Sequence, residues 1–132
     1  ASNYLERISD LILKISIFMV RRKKEKAYFT PELRKSLIEY MNLIQDAMNL
    51  MLVSLNNEPQ DVQLENVHIK EEQIDQEFEA LHKSYLRSME KKKLKLQSGL
   101  YYHDLINELE RLGDHIESVS KALAAPSSKV NS

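Results

Sequence analysis

No cysteine occurs among the 132 residues. That excludes a disulfide framework and a thiolate metal site, and it gives no sign of export to an oxidising compartment. Glycine (2) and proline (3) are scarce. A sheet with many tight turns needs more of both, so helices are expected. A glycine-rich phosphate loop, a serine elbow and a cysteine nucleophile are all missing, and with them the common signatures of phosphate-loop and nucleophilic enzymes; no catalysis is expected. Nineteen Lys and Arg nearly cancel twenty Asp and Glu, so no overall field of either sign calls for nucleic acid, and none is expected as a partner. A long apolar run is lacking too. The most apolar stretch, Ile8 to Val20, precedes Arg21-Arg22-Lys23-Lys24 as a span precedes a stop-transfer signal. Yet it is well short of the roughly 20 residues that cross a bilayer, and it holds Asp10 and Lys14. A chain that starts at Ala1, with no methionine and no signal-peptide pattern, reads as a piece of something longer.

What is present is helical period. Leu105, Leu109, Leu112, Ile116, Val119 and Leu123 recur at spacings of four and three, the mark of one buried helix face. Within that helix, Asn107-Glu108-Leu109-Glu110-Arg111-Leu112-Gly113-Asp114 is nearly repeated at the start of the chain as Asn3-Tyr4-Leu5-Glu6-Arg7-Ile8-Ser9-Asp10. The chain therefore carries an internal repeat.

Four helices are expected near 3–26, 32–56, 61–93 and 98–124. The first has Leu5, Ile8, Ile12, Ile15 and Met19 on one face, and its basic end reads as a solvated terminus favoured by the helix dipole. Thr30-Pro31-Glu32 opens the second with an N-cap, a proline at the first helical position and an acid in the first turn. Met41, Met48 and Met51 fill its seam as core residues, and asparagines and Pro59 stop it. The third carries Val67, Ile74, Phe78, Leu81, Tyr85 and Met89 inward, and Ser98 is the expected cap of the fourth. The expected core comprises Leu5, Ile12, Leu37, Ile44, Met51, Ile74, Phe78, Leu81, Leu105, Leu109, Leu112, Ile116 and Val119. The fold class is all-α: an antiparallel up-down bundle of four long helices. Because helix four matches helix one, residues 1–27 are expected to be the last helix of a preceding repeat. Residues 28–125 make a complete three-helix unit packed with it as one domain, and 126–132 form a disordered tail.

Polar stripes run beside the seams: His103, Asn107, Glu110, Asp114 and Glu117 on helix four, and His68, Glu72, Asp75, Glu79 and His82 on helix three. Glu110 and Asp114, Glu71 and Asp75, and Glu6 and Asp10 are each a carboxylate pair one turn apart. Two such pairs on facing helices suit one hard cation; equally, they suit solvated charges making weak local ion pairs. Glu79 and His82 fit the Glu-x-x-His spacing of di-iron bundles, which need two such motifs, and one is present.

LERLGDHIESV at 109–119 and LERISDLILKI at 5–15 resemble the signature that closes each three-helix repeat of PhoU-like proteins, the regulators of phosphate uptake. Glu71-Glu72-Gln73-Ile74-Asp75 is similar to that family's acidic middle segment. Leu81-His82-Lys83-Ser84-Tyr85-Leu86-Arg87 and Ser98-Gly99-Leu100-Tyr101-Tyr102-His103-Asp104-Leu105 resemble the soluble C-terminal region of bacterial sodium/phosphate cotransporters. The resemblance implies a non-catalytic regulatory module on the cytoplasmic side of the cell membrane, with the membrane transporter portion of the same parent chain as partner. The other member of the family it resembles is a stand-alone regulator acting on a transporter or sensor kinase in trans. It also implies iron or zinc bound through carboxylates, with Glu71, Asp75, Glu110 and Asp114 as ligands, and Glu6 and Asp10 as the weaker pair of a repeat whose other helices are missing. Ser9 stands where that family's signature has glycine. A homodimer is expected from the apolar face of helix one that a single three-helix unit does not cover.

Overall fold

The structure, a computed structural model, describes residues 2–56 and 64–124. They form four helices, α1 (Ser2–Lys24), α2 (Pro31–Asn56), α3 (Leu64–Glu90) and α4 (Leu96–Ala124), and no strand occurs among them. The expected start of the third helix near Asp61 and the expected tail at 126–132 lie outside the described residues.

Cross-helix contacts fix the directions. Lys14 meets Glu108 and Glu25 meets Gln97, so α1 and α4 run antiparallel. Tyr40 meets Phe78 and Lys70 meets Asp46, so α2 and α3 do the same, as do α3 and α4 through Tyr85 with Tyr102 and Lys121 with Glu71. The bundle is up-down throughout. Helix α4 is its hub: it packs against each of the other three, α2 and α3 also pack on each other, and α1 rests on α4.

Local signals explain the ends. Thr30 Oγ1 accepts the backbone N–H of Leu33 at 3.2 Å and the Thr30 carbonyl accepts that of Arg34 at 2.9 Å, so Thr30 is the N-cap and Pro31 the first helical residue. Helices α1 and α3 end alike. Lys26 (φ 57°) and Lys92 (φ 55°) adopt the left-handed conformation, and the next N–H, of Ala27 or Lys93, reaches back to the carbonyl of Arg22 or Ser88. This is the Schellman closure, made here by lysine where glycine is usual. Ser98 is not the cap of α4. The Gly99 N–H already bonds the Lys95 carbonyl at 2.8 Å, which puts Ser98 inside the first turn, where it is buried.

An aromatic chain joins the three helices of the unit. Tyr40 touches Phe78, Phe78 stacks on His82, and Tyr85 stacks on Tyr102, whose ring meets the edge of Phe29 at 4.9 Å between centroids. The Tyr102 hydroxyl donates to the Leu33 carbonyl at 3.1 Å, satisfying the one polar atom that this fully buried ring carries. The hydrophobic core otherwise follows the expected seams, with Phe78 only partly buried.

Helix α1 departs from expectation. Its buried stripe is Ile8, Leu11 and Ile15, while Leu5 and Ile12 are 36% and 43% exposed. Their repeat counterparts in α4, Leu109 and Ile116, are 3% and 1% exposed. The difference is one of neighbours. In α4 those positions are sealed by α2 and α3, whereas α1 touches the hub with the adjacent stripe, and nothing described closes over the other. Ser9, the counterpart of buried Gly113, is likewise exposed, so no close backbone approach is required of it. Between α1 and α2 an open apolar groove of about 450 Å³ remains, with Ile12, Ile38, Met41 and Met48 on its walls and Leu109 and Leu112 at its floor.

The two repeat leucines give a direct check. Leu109→Ala should destabilise the chain by about 2–5 kcal/mol in urea denaturation, the range for a buried leucine, and Leu5→Ala by less than about 1 kcal/mol. Equal losses would mean that α1 uses the stripe expected from sequence.

Candidate functional site

The carboxylates singled out by spacing fall along the α3–α4 seam. Glu71 and Asp75 come from α3, Glu110 and Asp114 from α4, and antiparallel packing brings the two pairs side by side. They are not equivalent. At one end Lys121 Nζ lies 3.1 Å from Glu71 and 3.2 Å from Glu117, and His68 Nδ1 is 3.5 Å from Glu71. Among these opposing influences the basic neighbours prevail over desolvation, and the Glu71 carboxyl is held below its usual range.

One turn along, the balance reverses. Asp75, Glu110 and Asp114 have no ion-pair partner among the described residues. Each is raised above the ordinary carboxylate range, first by partial burial and then by the others. Glu110 feels Asp114 and Asp75, Asp114 feels Asp75, and Asp75 feels Glu71 and Glu79. Beneath them the Tyr40 ring, contributed by α2, is completely buried, and its hydroxyl has no hydrogen-bond partner among the described residues. Burial and the fields of Glu110, Asp114 and Asp75 push that phenol well above its ordinary value. Asp75, Glu110, Glu72 and Glu79 border an open cleft of about 550 Å³ on the same side.

The donors are therefore hard oxygens carrying unneutralised charge, the type that Mg²⁺, Mn²⁺, iron or zinc accepts. Their spacing is another matter. Among the described residues no group of three or more His, Asp or Glu side chains converges closely enough to hold an ion, so the residues as placed do not make a metal centre. Two histidines of the polar stripes are engaged with aromatic or amide neighbours. His82 stacks on Phe78 with ring planes 12° apart, and His103 lies against Tyr85 and 3.3 Å from the Asn107 amide. Glu79 and His82 thus sit on α3 with the histidine in the aromatic chain. Glu6 and Asp10 lie exposed on α1, away from the α3–α4 pairs.

One charged residue of consequence carried no signal of its own in the sequence. Glu108 is 8% exposed and accepts from Lys14 at 3.1 Å and Arg111 at 3.3 Å, tying α1 to the hub. The signal that could have found it is Lys14, the one cation in the apolar run of α1, for which an acid on a facing helix is a natural partner.

A family model described as "PhoU domain" matches residues 37–123, from the second turn of α2 to the last turn of α4. No curated protein and no solved structure matches the chain. Among the described residues, no helix is long and apolar enough to cross a membrane.

The raised carboxylates set a pH signature. A carboxyl raised in the fold binds its proton more tightly there than in the unfolded chain, so its unfavourable contribution appears as pH rises from the unfolded value, about 4, through the raised one, and is complete at neutral pH. Asp114→Asn should raise the melting temperature at neutral pH, less so in high salt, and should give no gain near pH 3, where these groups are protonated in both states. A loss of stability at neutral pH would mean that Asp114 is paired with a cation.

Proposed function

Because the chain belongs to the PhoU domain family, whose role is regulation of phosphate transport and not catalysis, we propose that it is a regulatory and interaction module on the cytoplasmic side of a sodium-dependent phosphate transporter. In this reading it is carried on the same parent chain as the transporter. The reading is supported by the likeness of residues 81–87 and 98–105 to the soluble region of sodium/phosphate cotransporters. The observation that carries the interaction role is the uncovered surface of α1. Leu13, Ile17 and Val20 occupy positions spaced as Glu117, Lys121 and Ala124 are on α4, and they are 61%, 48% and 69% exposed. A helix that puts leucine and isoleucine where its repeat partner has charge, and valine where it has alanine, is built to be covered on that face.

In the parent chain the proposed cover is the preceding pair of helices, as α2 and α3 cover α4. The chain on its own is then expected to pair through the same surface as a homodimer. Light scattering should give twice the chain mass, and Ile17→Asp should return it to a monomer. A monomer at high protein concentration counts against the assignment of this surface.

The carboxylates Glu71, Asp75, Glu110 and Asp114 are proposed as ligands of iron or zinc, a step that requires these four to draw together, and Glu6 and Asp10 as the weaker pair belonging to the preceding repeat. The test is metal content after metal-replete purification. The unaltered protein should exceed the Asp75→Ala/Asp114→Ala double variant, and equal content removes the site. For function, deleting residues 2–124 from the encoded protein should change sodium-dependent phosphate uptake severalfold. Unchanged uptake would overturn the transporter reading, and altered phosphate-responsive gene expression with unchanged uptake would point to a regulator acting in trans.

A further inference from the structure

A net charge of −1 conceals a strong segregation. Residues 21–35 and 87–95 contain twelve of the nineteen Lys and Arg and only three of the twenty Asp and Glu, leaving nine net positive charges on 24 residues. The rest of the chain holds seven cations against seventeen acids. In sequence the two basic segments are more than fifty residues apart. The fold brings them to one end of the bundle, where α1 and α3 finish and α2 and α4 begin. Contacts across that end are direct: Gln97 Nε2 donates to Glu25 at 3.1 Å, the Tyr101 hydroxyl donates to the same carboxylate, and Phe29 meets Tyr102.

Three features make this end more than a solvated face. First, its charge is free. Of the twelve cations all but Arg22 are exposed, and none joins an ion pair among the described residues. Secondly, Glu25, which could have neutralised part of it, is engaged by the neutral donors Gln97 and Tyr101. Thirdly, apolar side chains stand among the cations: Tyr28, Leu96 and Leu100 are each more than half exposed.

From this placement we infer that the basic end is a docking surface for a membrane leaflet rich in acidic phospholipid. Lysines and arginines near such a surface contribute about 1 kcal/mol each, within about a Debye length of it. Tyrosine and leucine beside them fit the boundary between headgroups and acyl chains. The apolar members decide between anionic partners, because a nucleic-acid backbone would use the cations and leave exposed Leu96 and Leu100 without a place. The acid-rich remainder of the molecule is repelled by the same leaflet, so the bundle stands end-on with its α3–α4 carboxylates turned away. This inference rests on the placement of charged and apolar side chains at this end and does not depend on the regulatory role proposed above.

The test is co-sedimentation of the full chain with vesicles of zwitterionic lipid alone and with vesicles carrying acidic phospholipid as about a third of the lipid. Binding is expected to the second and not the first, and to fall steeply with added salt. Lys92→Glu/Lys93→Glu should weaken it at least about tenfold, whereas Arg7→Glu/Lys70→Glu, of equal net charge but outside this end, should change it little. Melting curves establish that both variants fold. Equal binding to the two vesicle types, no binding to either, or equal losses in the two variants would overturn the inference. So would displacement by inorganic phosphate beyond that by chloride at matched ionic strength, which would mark a site for the free anion. Tighter binding to duplex DNA than to acidic vesicles would reassign the surface to nucleic acid.

Discussion

Burial of α4 on three sides is the constraint from which the other features follow. A helix covered by three neighbours keeps, beyond its first turn, only a narrow ribbon in water, here Leu100, Asp104, Arg111, Asp114, Ser118 and Ala122. Every remaining position must be apolar, small, or polar with a partner. Tyr102 meets that requirement through the Leu33 carbonyl and Glu108 through Lys14 and Arg111. Glu110, at the edge of the ribbon, meets it only in part, and Asp114, within the ribbon, is still partly desolvated beside Asp75, so both carry raised pKa values. Their mutual repulsion is a by-product of a hub helix forced to present its acids beside those of α3, and an added cation would relieve it.

Much of this was legible in the residues. The seams of α2, α3 and α4 are long, and each has apolar residues on a face wide enough to touch two neighbours, so period alone identifies what is buried. Thr30-Pro31 fixed an end because the chemistry is local: a side-chain oxygen, a missing N–H and a first-turn acid all act within four residues. Helix α1 was legible as a helix and not as to its face. It carries two adjacent apolar stripes, one through Leu5 and Ile12 and one through Ile8, Leu11 and Ile15, and the choice between them is made by α4, far away in sequence. The Schellman ends at Lys26 and Lys92 gave no signal, because glycine, the residue that announces such ends, is absent from both.

The site was legible in part for a similar reason. Spacing of four identifies carboxylates on one helix face, and antiparallel packing of α3 on α4 brings Asp75 near Glu110 and Asp114. What spacing cannot supply is the competitor. Lys121 reaches across from α4 to Glu71, so one end of the stripe is neutralised by a cation within the fold and the other is not. The acidic stripe is thus two environments, and the part around Asp75 keeps charge available to an outside ligand.

Charge at the scale of the whole molecule obeys the same logic of end and face. Each helix of an up-down bundle delivers its ends to one of two poles, so a bias placed at alternate ends of successive helices accumulates at a single pole instead of cancelling. Basic residues close α1 and α3 and open α2, and the two turns between them add more. The near-zero total is what remains after a positive pole and an acidic body are added together, and a composition count cannot distinguish that from an even mixture. Only the antiparallel order of the helices, itself imposed by the short connections at 25–30 and 91–95, turns two basic segments distant in sequence into one surface.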